Sequence, residues 1–337
     1  MSASPQNQSE LKLVKQVQRL ADQHLPKKTE QIALQIGDDA AALTQYPGKL
    51  TLISTDALVE GIHFDLHYMC PEDLGWKVLA VNLSDIAAMG GNPIGFTISI
   101  AVPPLKSGAF LTRMYKGMME LATNTKTVLL GGDTSASPGP VFLNLTILGN
   151  VKPTELITRK GAQPGDKIFV TGELGVSAIG LELLRLGAVR SKAVTHLMSQ
   201  HLRPQPRIKV GRWLAKNHCA SALLDLSDGL STDLSHLCKA SNVGAVIDSK
   251  KIPLPTVNST MSSLVSKPLL DYGLNGGEDY ELLFSVPAKK EIQVPNKIEG
   301  VTVKQIGYVT DKPEICLTNE EGRVRPLLPQ GFDHFRG

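Results

Sequence analysis

Leu50-Thr51-Leu52-Ile53-Ser54-Thr55-Asp56 is an apolar run that ends in aspartate, and three other runs in the chain share its form. The others are residues 34–39, 128–133 and 222–228, which end in Asp39, Asp133 and Asp228. A short apolar run bounded by glycine or serine predicts a buried strand. A strand that stops on aspartate places a carboxylate at the end of a sheet, where α/β proteins bind their ligands.

Convergence of these strand ends would bring several carboxylates together at an electrostatic cost. Two like charges ~4 Å apart repel by about 4 kcal/mol at an effective dielectric near 20. A single aspartate after a strand usually caps a turn or a helix by accepting backbone N–H bonds. Four such positions beside glycine, serine and threonine instead predict oxygen-rich sites for hard divalent cations.

Alternating strand and helix patterns predict an α/β (α+β) fold of two domains with mixed sheets. In the first half we expect strands ending at Asp39, Asp56 and Asp133, strands at 95–102 and 142–151, and helices at 9–24, 71–89 and 107–123. In the second half we expect strands at 167–171, 244–248, 281–286 and 301–309, a strand ending at Asp228, and helices at 176–186, 193–200, 208–217 and up to 241. The polar loop 152–166 predicts a boundary between an N-terminal domain, residues 1–152, and a C-terminal domain, residues 153–337. Residues 250–270, rich in serine, proline and lysine, predict a surface connection.

Composition limits the classes of function. The 337 residues carry a net charge of only +3, which argues against nucleic-acid binding. The four cysteines are scattered without a CxxC pair, as expected for reduced thiols in a cytoplasmic protein. The polar N-terminus lacks the apolar core of a signal peptide, and no apolar stretch approaches the ~20 residues of a membrane span.

Several short motifs suit phosphate or cation binding, and each also has a structural explanation. Gly131-Gly132-Asp133-Thr134 offers backbone amides to an anion and a carboxylate to a metal, and no P-loop accompanies it. Arg159 is either a solvated charge or a bidentate phosphate clamp, and His63 either packs in the interior or contacts phosphate. The acids within residues 276–281 either bind a cationic ligand or cap a helix, and the proline-rich segment 201–207 fits a structural loop.

Taken in order, the motifs resemble those of the thiamine-monophosphate kinase family, within the larger aminoimidazole ribonucleotide synthetase-like group. The matching segments are residues 36–41, 54–64, 80–90, 131–134, 159–166, 224–230, 276–283 and 331–335. The resemblance implies an ATP-dependent kinase that converts thiamine monophosphate to thiamine diphosphate. It also implies a homodimer whose N-terminal mixed sheets pair, with an α/β C-terminal domain on each subunit.

The resemblance further implies a role for individual residues. Several Mg²⁺ ions would be held by Asp39, Ser54, Thr55, Asp56, Asp85, Asp133, Asp225 and Asp228. ATP, the co-substrate, would contact Gly132, Asp133, Arg159, Ser227 and Tyr115. Thiamine monophosphate would meet His63, Glu278 and Phe332, and the catalytic residues would be Asp133, Asp56 and Asp228.

The expected chemistry is direct, in-line phosphoryl transfer assisted by Mg²⁺. A phosphate monoester has a second pKa near ~6, so it is largely dianionic at neutral pH and needs no general base as a nucleophile. The main alternative is another ATP-using enzyme of the same group. A selenophosphate synthetase would need a reactive cysteine near its N-terminus, but the first cysteine here is Cys70. A hydrogenase-maturation relative would end in a cysteine-containing tail, which this sequence does not show. A non-catalytic sensor of magnesium and nucleotide is the alternative from another class.

Overall fold

The computed structural model describes residues 16–17, 19–20, 23, 32–34, 41–106, 108–189, 191–257, 262–319 and 321–332. The chain forms two compact units. The N-terminal unit comprises Met1–Ile86 and Asn92–Pro153, and the C-terminal unit comprises Ala87–Gly91 and Thr154–Gly337.

A four-stranded mixed sheet organises the N-terminal unit. Its strands are β3 (Leu50–Val59), β4 (Asn92–Val102), β5 (Val128–Ala136) and β6 (Phe142–Val151), preceded by the short pair β1 (Ile32–Leu34) and β2 (Ala42–Leu43). The spatial order is β3-β6-β4-β5, with antiparallel pairs except for β4 and β5, which are parallel. The helices are α1 (Pro71–Ala88) and α2 (Ala109–Thr125). Proline and two acidic residues in the first turn of α1 suit a helix start.

The two faces of this sheet differ because successive side chains of a strand point to opposite sides. Leu143, Leu145 and Ile147 of β6 are fully buried on the face that the helices cover. The helices themselves pack closely, since a Cβ at Gly117 of α2 would lie 1.9 Å from the Glu72 carbonyl oxygen of α1. The opposite face exposes Ile53, whose relative accessibility is 70%, beside polar side chains.

A larger mixed sheet organises the C-terminal unit. Its strands are β7 (Lys167–Thr171), β8 (Ala222–Asp225), β9 (Gly244–Asp248), β10 (Leu282–Val286), β11 (Lys297–Ile298), β12 (Val301–Thr310), β13 (Ile315–Thr318) and β14 (Val324–Pro326). The order is β14-β13-β9-β12-β7-β10-β8, with β11 paired to β12. The helices are α3 (Val176–Arg185), α4 (Lys192–Leu202), α5 (Ile208–Lys216), α6 (Leu230–Ser241) and α7 (Leu269–Asn275).

Strands β7, β8 and β10 are buried on both faces of the C-terminal sheet and are largely apolar, whereas β12 and β14 have exposed polar positions. One core contains Leu224 of β8 with Leu234 of α6, and the other contains Phe284 of β10 with Leu214 of α5. The rings of Phe169 and Phe284 stack with centroids 5.5 Å apart within the second core. Strands β7 and β8 both run antiparallel to β10, so their carboxyl ends lie at the same edge of the sheet.

The sequence located most elements, but three predicted strand ends are wrong. Strand β3 continues past Asp56 to Val59 because it stays paired with β6, and β5 continues past Asp133 to Ala136 beside β4. Strand β8 stops at Asp225, which leaves Asp228 in the following loop. Asp39 and most of the predicted helix 9–24 lie outside the described residues.

The predicted surface connection 250–270 is also only partly right, since it leads into α7, which the sequence did not predict. Strands β13 and β14 were missed as well. All four cysteines are free thiols. Among the helices of the described ranges, none has the length and apolar character needed to cross a membrane.

Candidate functional site

Three predicted metal ligands meet in the N-terminal unit. Ser54 and Asp56 are two residues apart on β3 and share the face that α1 covers, and Asp85 comes from the last turn of α1. The Ser54 Oγ donates a hydrogen bond of 2.5 Å to the Asp85 Oδ2. Burial and the neighbouring Asp85 charge raise the pKa of Asp56 to about 6. The carboxylates therefore favour a proton or a cation between them.

Asp133 and Thr55 lie on the opposite face of the same sheet. Asp133 pairs in register with the exposed Ser99 of β4, and the Thr55 Oγ1 accepts hydrogen bonds from Asn144 and Thr146 at 3.1 Å. The sheet of one N-terminal unit thus separates Asp133 from Asp56. Gly132 precedes Asp133 where a Cβ would lie only 2.4 Å from the Ile98 carbonyl oxygen, which explains the glycine.

Tyr115 and His63 have contrasting environments. Tyr115 is buried on α2, where it hydrogen-bonds the Thr134 side chain, and burial raises its pKa well above the ordinary value. His63 is half-buried, and its Nδ1 accepts a hydrogen bond of 3.0 Å from the Val59 N–H. A neutral imidazole that accepts at Nδ1 carries its proton on Nε2, so Nε2 is a hydrogen-bond donor.

Predicted metal and substrate residues also meet in the C-terminal unit. Asp225 ends β8, and the loop after it pairs with the segment that precedes β10: the Glu278 N–H donates to the Ser227 carbonyl at 2.7 Å. The Phe332 N–H donates to the Asp228 carbonyl at 3.3 Å, and the Phe332 side chain is half-exposed. The structure therefore brings Asp225, Ser227, Asp228, Glu278 and Phe332 to one edge of the sheet.

Asp233 and His236 belong to the same cluster but were missed in the sequence. Asp233 is buried near the start of α6, and its Oδ2 accepts the Asp228 and Gly229 N–H bonds at 3.1 Å. Burial, followed by the charges of Asp225 and Asp228, raises its pKa to about 8. One ligand atom from each of Asp228, Asp233 and His236 lies within 4.8 Å of the others. The i, i+3 spacing of Asp233 and His236 on a helix after an acidic strand end is the signal that could have found them.

Arg159 is exposed and lies on the side of the cluster near His236. Burial and the Arg159 charge lower the pKa of His236, whereas Asp228 opposes that change. The guanidinium is thus placed to meet an anion that approaches the acidic cluster.

A cavity of about 350 Å³ in the C-terminal unit was not predicted. Arg207 and Glu281 form an ion pair in its wall, with the Arg207 Nε 2.7 Å from the Glu281 Oε2. Asp279 caps the N-terminus of α3 by accepting the Gly175 N–H at 2.6 Å, and burial raises its pKa to about 7. Each acid of the 276–281 motif therefore has a different environment. Asp279 caps a helix, Glu281 forms a buried ion pair, and Glu278 lies beside the loop that follows β8.

Comparisons with known proteins agree with this architecture. Residues 37–151 match the AIR synthase related protein N-terminal domain, and residues 163–318 match its C-terminal domain. The thiamine-monophosphate kinase of Escherichia coli O157:H7 is 41% identical over 309 residues, covering 90% of this chain and 92% of that protein. The thiamine-monophosphate kinase of Bacillus subtilis is 37% identical, covering 89% and 93%.

Solved structures give the same result. The thiamine-monophosphate kinase from Stenotrophomonas maltophilia superposes with a TM-score of 0.79 at 32% identity, covering 92% of this chain and 96% of that one. AaThiL complexed with AMPPCP and TMP superposes with a TM-score of 0.76 at 31% identity, covering 99% and 100%. The hydrogenase maturation protein HypE of E. coli, at 18% identity and a TM-score of 0.75, shares the fold.

Two matched domains and two acidic sheet clusters define an AIR synthase related protein. Within that class, the relatives that match at 37–41% identity over about 90% of the chain are thiamine-monophosphate kinases. The chain belongs to the thiamine-monophosphate kinase family.

Proposed function

We propose that the protein transfers the γ-phosphoryl group of ATP to thiamine monophosphate and releases thiamine diphosphate and ADP. The observation that carries the proposal is the pair of oxygen-rich clusters, Ser54–Asp56–Asp85 and Asp225–Asp228–Asp233, in a chain of this family. The neighbour solved with AMPPCP and TMP supports the same pair of substrates.

The donor chemistry fits Mg²⁺, which prefers carboxylate and hydroxyl oxygens. Burial, followed by the neighbouring Asp85 charge, raises the pKa of Asp56, and a bound cation would favour its ionised form. We propose Asp39, Ser54, Thr55, Asp56, Asp85, Asp133, Asp225 and Asp228 as the residues that hold Mg²⁺. When bound, Mg²⁺ would neutralise the phosphates and stabilise the charge of the transferring group.

The chain's own residues would bind and orient the two substrates. Arg159 has the planar, bidentate geometry that suits phosphate, and the Nε2 donor of His63 suits the acceptor phosphate. Gly132, Asp133, Ser227 and Tyr115 are proposed to complete the ATP site. Glu278 and Phe332 would recognise the cationic, aromatic thiamine by charge and stacking.

The proposed transfer is direct and in line, without a phosphoenzyme. The acceptor is already a dianion at neutral pH, so no residue has to remove a proton from it. In this scheme Asp56, Asp133 and Asp228 are the catalytic residues, because bound cations held by these carboxylates would offset the mutual repulsion of the phosphates.

The proposal includes a homodimer and the two domains, residues 1–152 and 153–337. The open face of the N-terminal sheet supports pairing between subunits. Its strand β3 is paired with β6 along its whole length, yet the apolar side chain of Ile53 on this face has a relative accessibility of 70%. In a pair of such sheets, Asp133 and Asp56 on opposite faces of one sheet need not belong to the same substrate site.

The test is ADP production from ATP and Mg²⁺ with and without thiamine monophosphate, with the thiamine product identified by chromatography. We expect acceptor-dependent ADP and thiamine diphosphate in equal amounts. Asp56→Ala and Asp133→Ala should lose activity by orders of magnitude while remaining folded. Nucleotide binding without any diphosphate product would reject the kinase and favour a sensor.

A further inference from the structure

His201 is a buried histidine that reaches the predicted substrate-binding edge of the C-terminal unit. It lies in the last turn of α4, rather than in a loop, and only 1% of its side chain is exposed. Its Nδ1 lies 3.1 Å from the Ser177 Oγ and 3.4 Å from the Glu278 Oε2. A ring nitrogen that faces a carboxylate stabilises it only when that nitrogen carries the proton.

A hydrogen bond and close helix packing fix the structure around His201. The Asp279 carboxylate accepts the Ser177 N–H at 3.0 Å, which fixes the first turn of α3. Helices α3 and α4 pack closely, because a Cβ at Gly180 would lie 2.2 Å from the Leu197 carbonyl oxygen. His201 therefore has little freedom to move, and its position is set by two packed helices.

The backbone of Glu278 is held in an unusual conformation. Glu278 and Tyr280 both adopt left-handed backbone angles, with φ of 65° and 50°, on either side of Asp279. Such conformations persist when their surroundings enforce them, and they concentrate at functional sites. Hydrogen bonds from the Glu278 and Tyr280 N–H groups to the Ser227 and Leu226 carbonyls hold the segment at 2.7 and 2.9 Å.

The Glu278 side chain contacts the buried His201 ring and is also partly open to solvent, since 26% of it is exposed. We propose that His201 is a positioning residue that fixes the Glu278 carboxylate for recognition of the cationic acceptor molecule. The proposal rests on the proposed function, in which Glu278 contacts thiamine monophosphate. His201 acts through Glu278 and touches neither substrate.

The test is steady-state kinetics on the full-length protein with Mg²⁺, ATP and thiamine monophosphate. His201→Asn should raise the KM for thiamine monophosphate about tenfold, the effect expected for loss of a polar contact to a charged group. The KM for ATP should be unchanged and kcat should stay within about twofold. His196→Asn is the matched control, because His196 is an exposed residue of the same helix.

A double-mutant cycle separates positioning from general destabilisation. If His201 acts through Glu278, the variant carrying both His201→Asn and Glu278→Gln should have the acceptor KM of Glu278→Gln alone. Independent, multiplying effects on KM would overturn the proposal. So would an equal rise in the KM for ATP.

Folding and function each have their own control. If His201→Asn does not fold, His201→Gln replaces it in the same cycle, and an acceptor KM that is unchanged, or that rises independently of Glu278→Gln, would reject the proposal. The proposed function fails separately, when the wild-type protein forms no thiamine diphosphate. Product formation by the wild type with an unaltered KM in His201→Asn rejects only the role of His201.

Discussion

Replacing Asp56 with asparagine should stabilise the protein and abolish its activity at the same time. The side chain sits beside Asp85 in the N-terminal cluster, where burial and charge raise its pKa from 3.8 to about 6. One pKa unit corresponds to about 1.36 kcal/mol, so the ionised Asp56 costs up to about 3 kcal/mol of folding free energy. Solvent screening at this half-buried site reduces the expected cost to about 1–2 kcal/mol.

The sign of the pH dependence follows from the same shift. Between pH 3.8 and about 6 the folded protein keeps a proton on Asp56 that the unfolded chain has released. Stability contributed by this group therefore falls as pH rises through that window, and it is constant above pH 6. Asp56→Asn lacks this slope, so its advantage over the wild type should grow up to pH 6 and then stay level.

The assay is thermal unfolding at pH values from about 4 to 8, with EDTA or with excess Mg²⁺. In EDTA near neutral pH the variant should unfold a few degrees higher than the wild type, at about 2–4 °C per kcal/mol. Mg²⁺ should stabilise the wild type by mass action and the variant less, because the variant loses one carboxylate of the N-terminal cluster while the proposed ligands of the C-terminal unit remain. Glu120→Gln, at an exposed residue of α2, is the matched control. A variant less stable than the wild type in EDTA, or equally stabilised by Mg²⁺, would refute the reasoning.

Three further substitutions have defined outcomes. Gly172→Ala should lower the unfolding temperature by several degrees, because φ is +61° and the new Cβ would lie 2.0 Å from the Glu281 Oε1. Arg207→Ala should cost about 3 kcal/mol in denaturant unfolding, since it leaves the buried Glu281 carboxylate without its cation. Ile53→Glu should convert the proposed dimer to monomers in sedimentation experiments, and an unchanged dimer would show that the exposed face of β3 is not the contact.

The sequence predicts the C-terminal sheet better than the N-terminal one. Strands 167–171 and 244–248 appear with the bounds expected, because both faces of these strands are largely buried and the interior of each run is apolar. Strand β3 instead has one exposed face, so Asp56 is compatible with its interior and does not end it. Antiparallel pairing with β6, which no local pattern reveals, determines where β3 stops.

The candidate site shows the same limit. Short motifs predicted Asp56, Asp85 and Asp228 as metal ligands, because oxygen donors beside glycine, serine and threonine form recognisable patterns in sequence. They did not reveal on which face of a strand each side chain lies, which is what separates Asp133 from Asp56. Asp233 and His201 were missed because their importance depends on tertiary neighbours: the Asp228 backbone in one case and Glu278 in the other.

The most direct test of the central claim is a single turnover with ATP labelled at the γ-phosphorus, thiamine monophosphate and Mg²⁺. The account predicts that the label moves to the terminal phosphate of thiamine diphosphate at the rate at which ADP appears, with none retained on the protein. Label trapped on the protein, or released as inorganic phosphate without diphosphate, would contradict direct transfer between the two substrates.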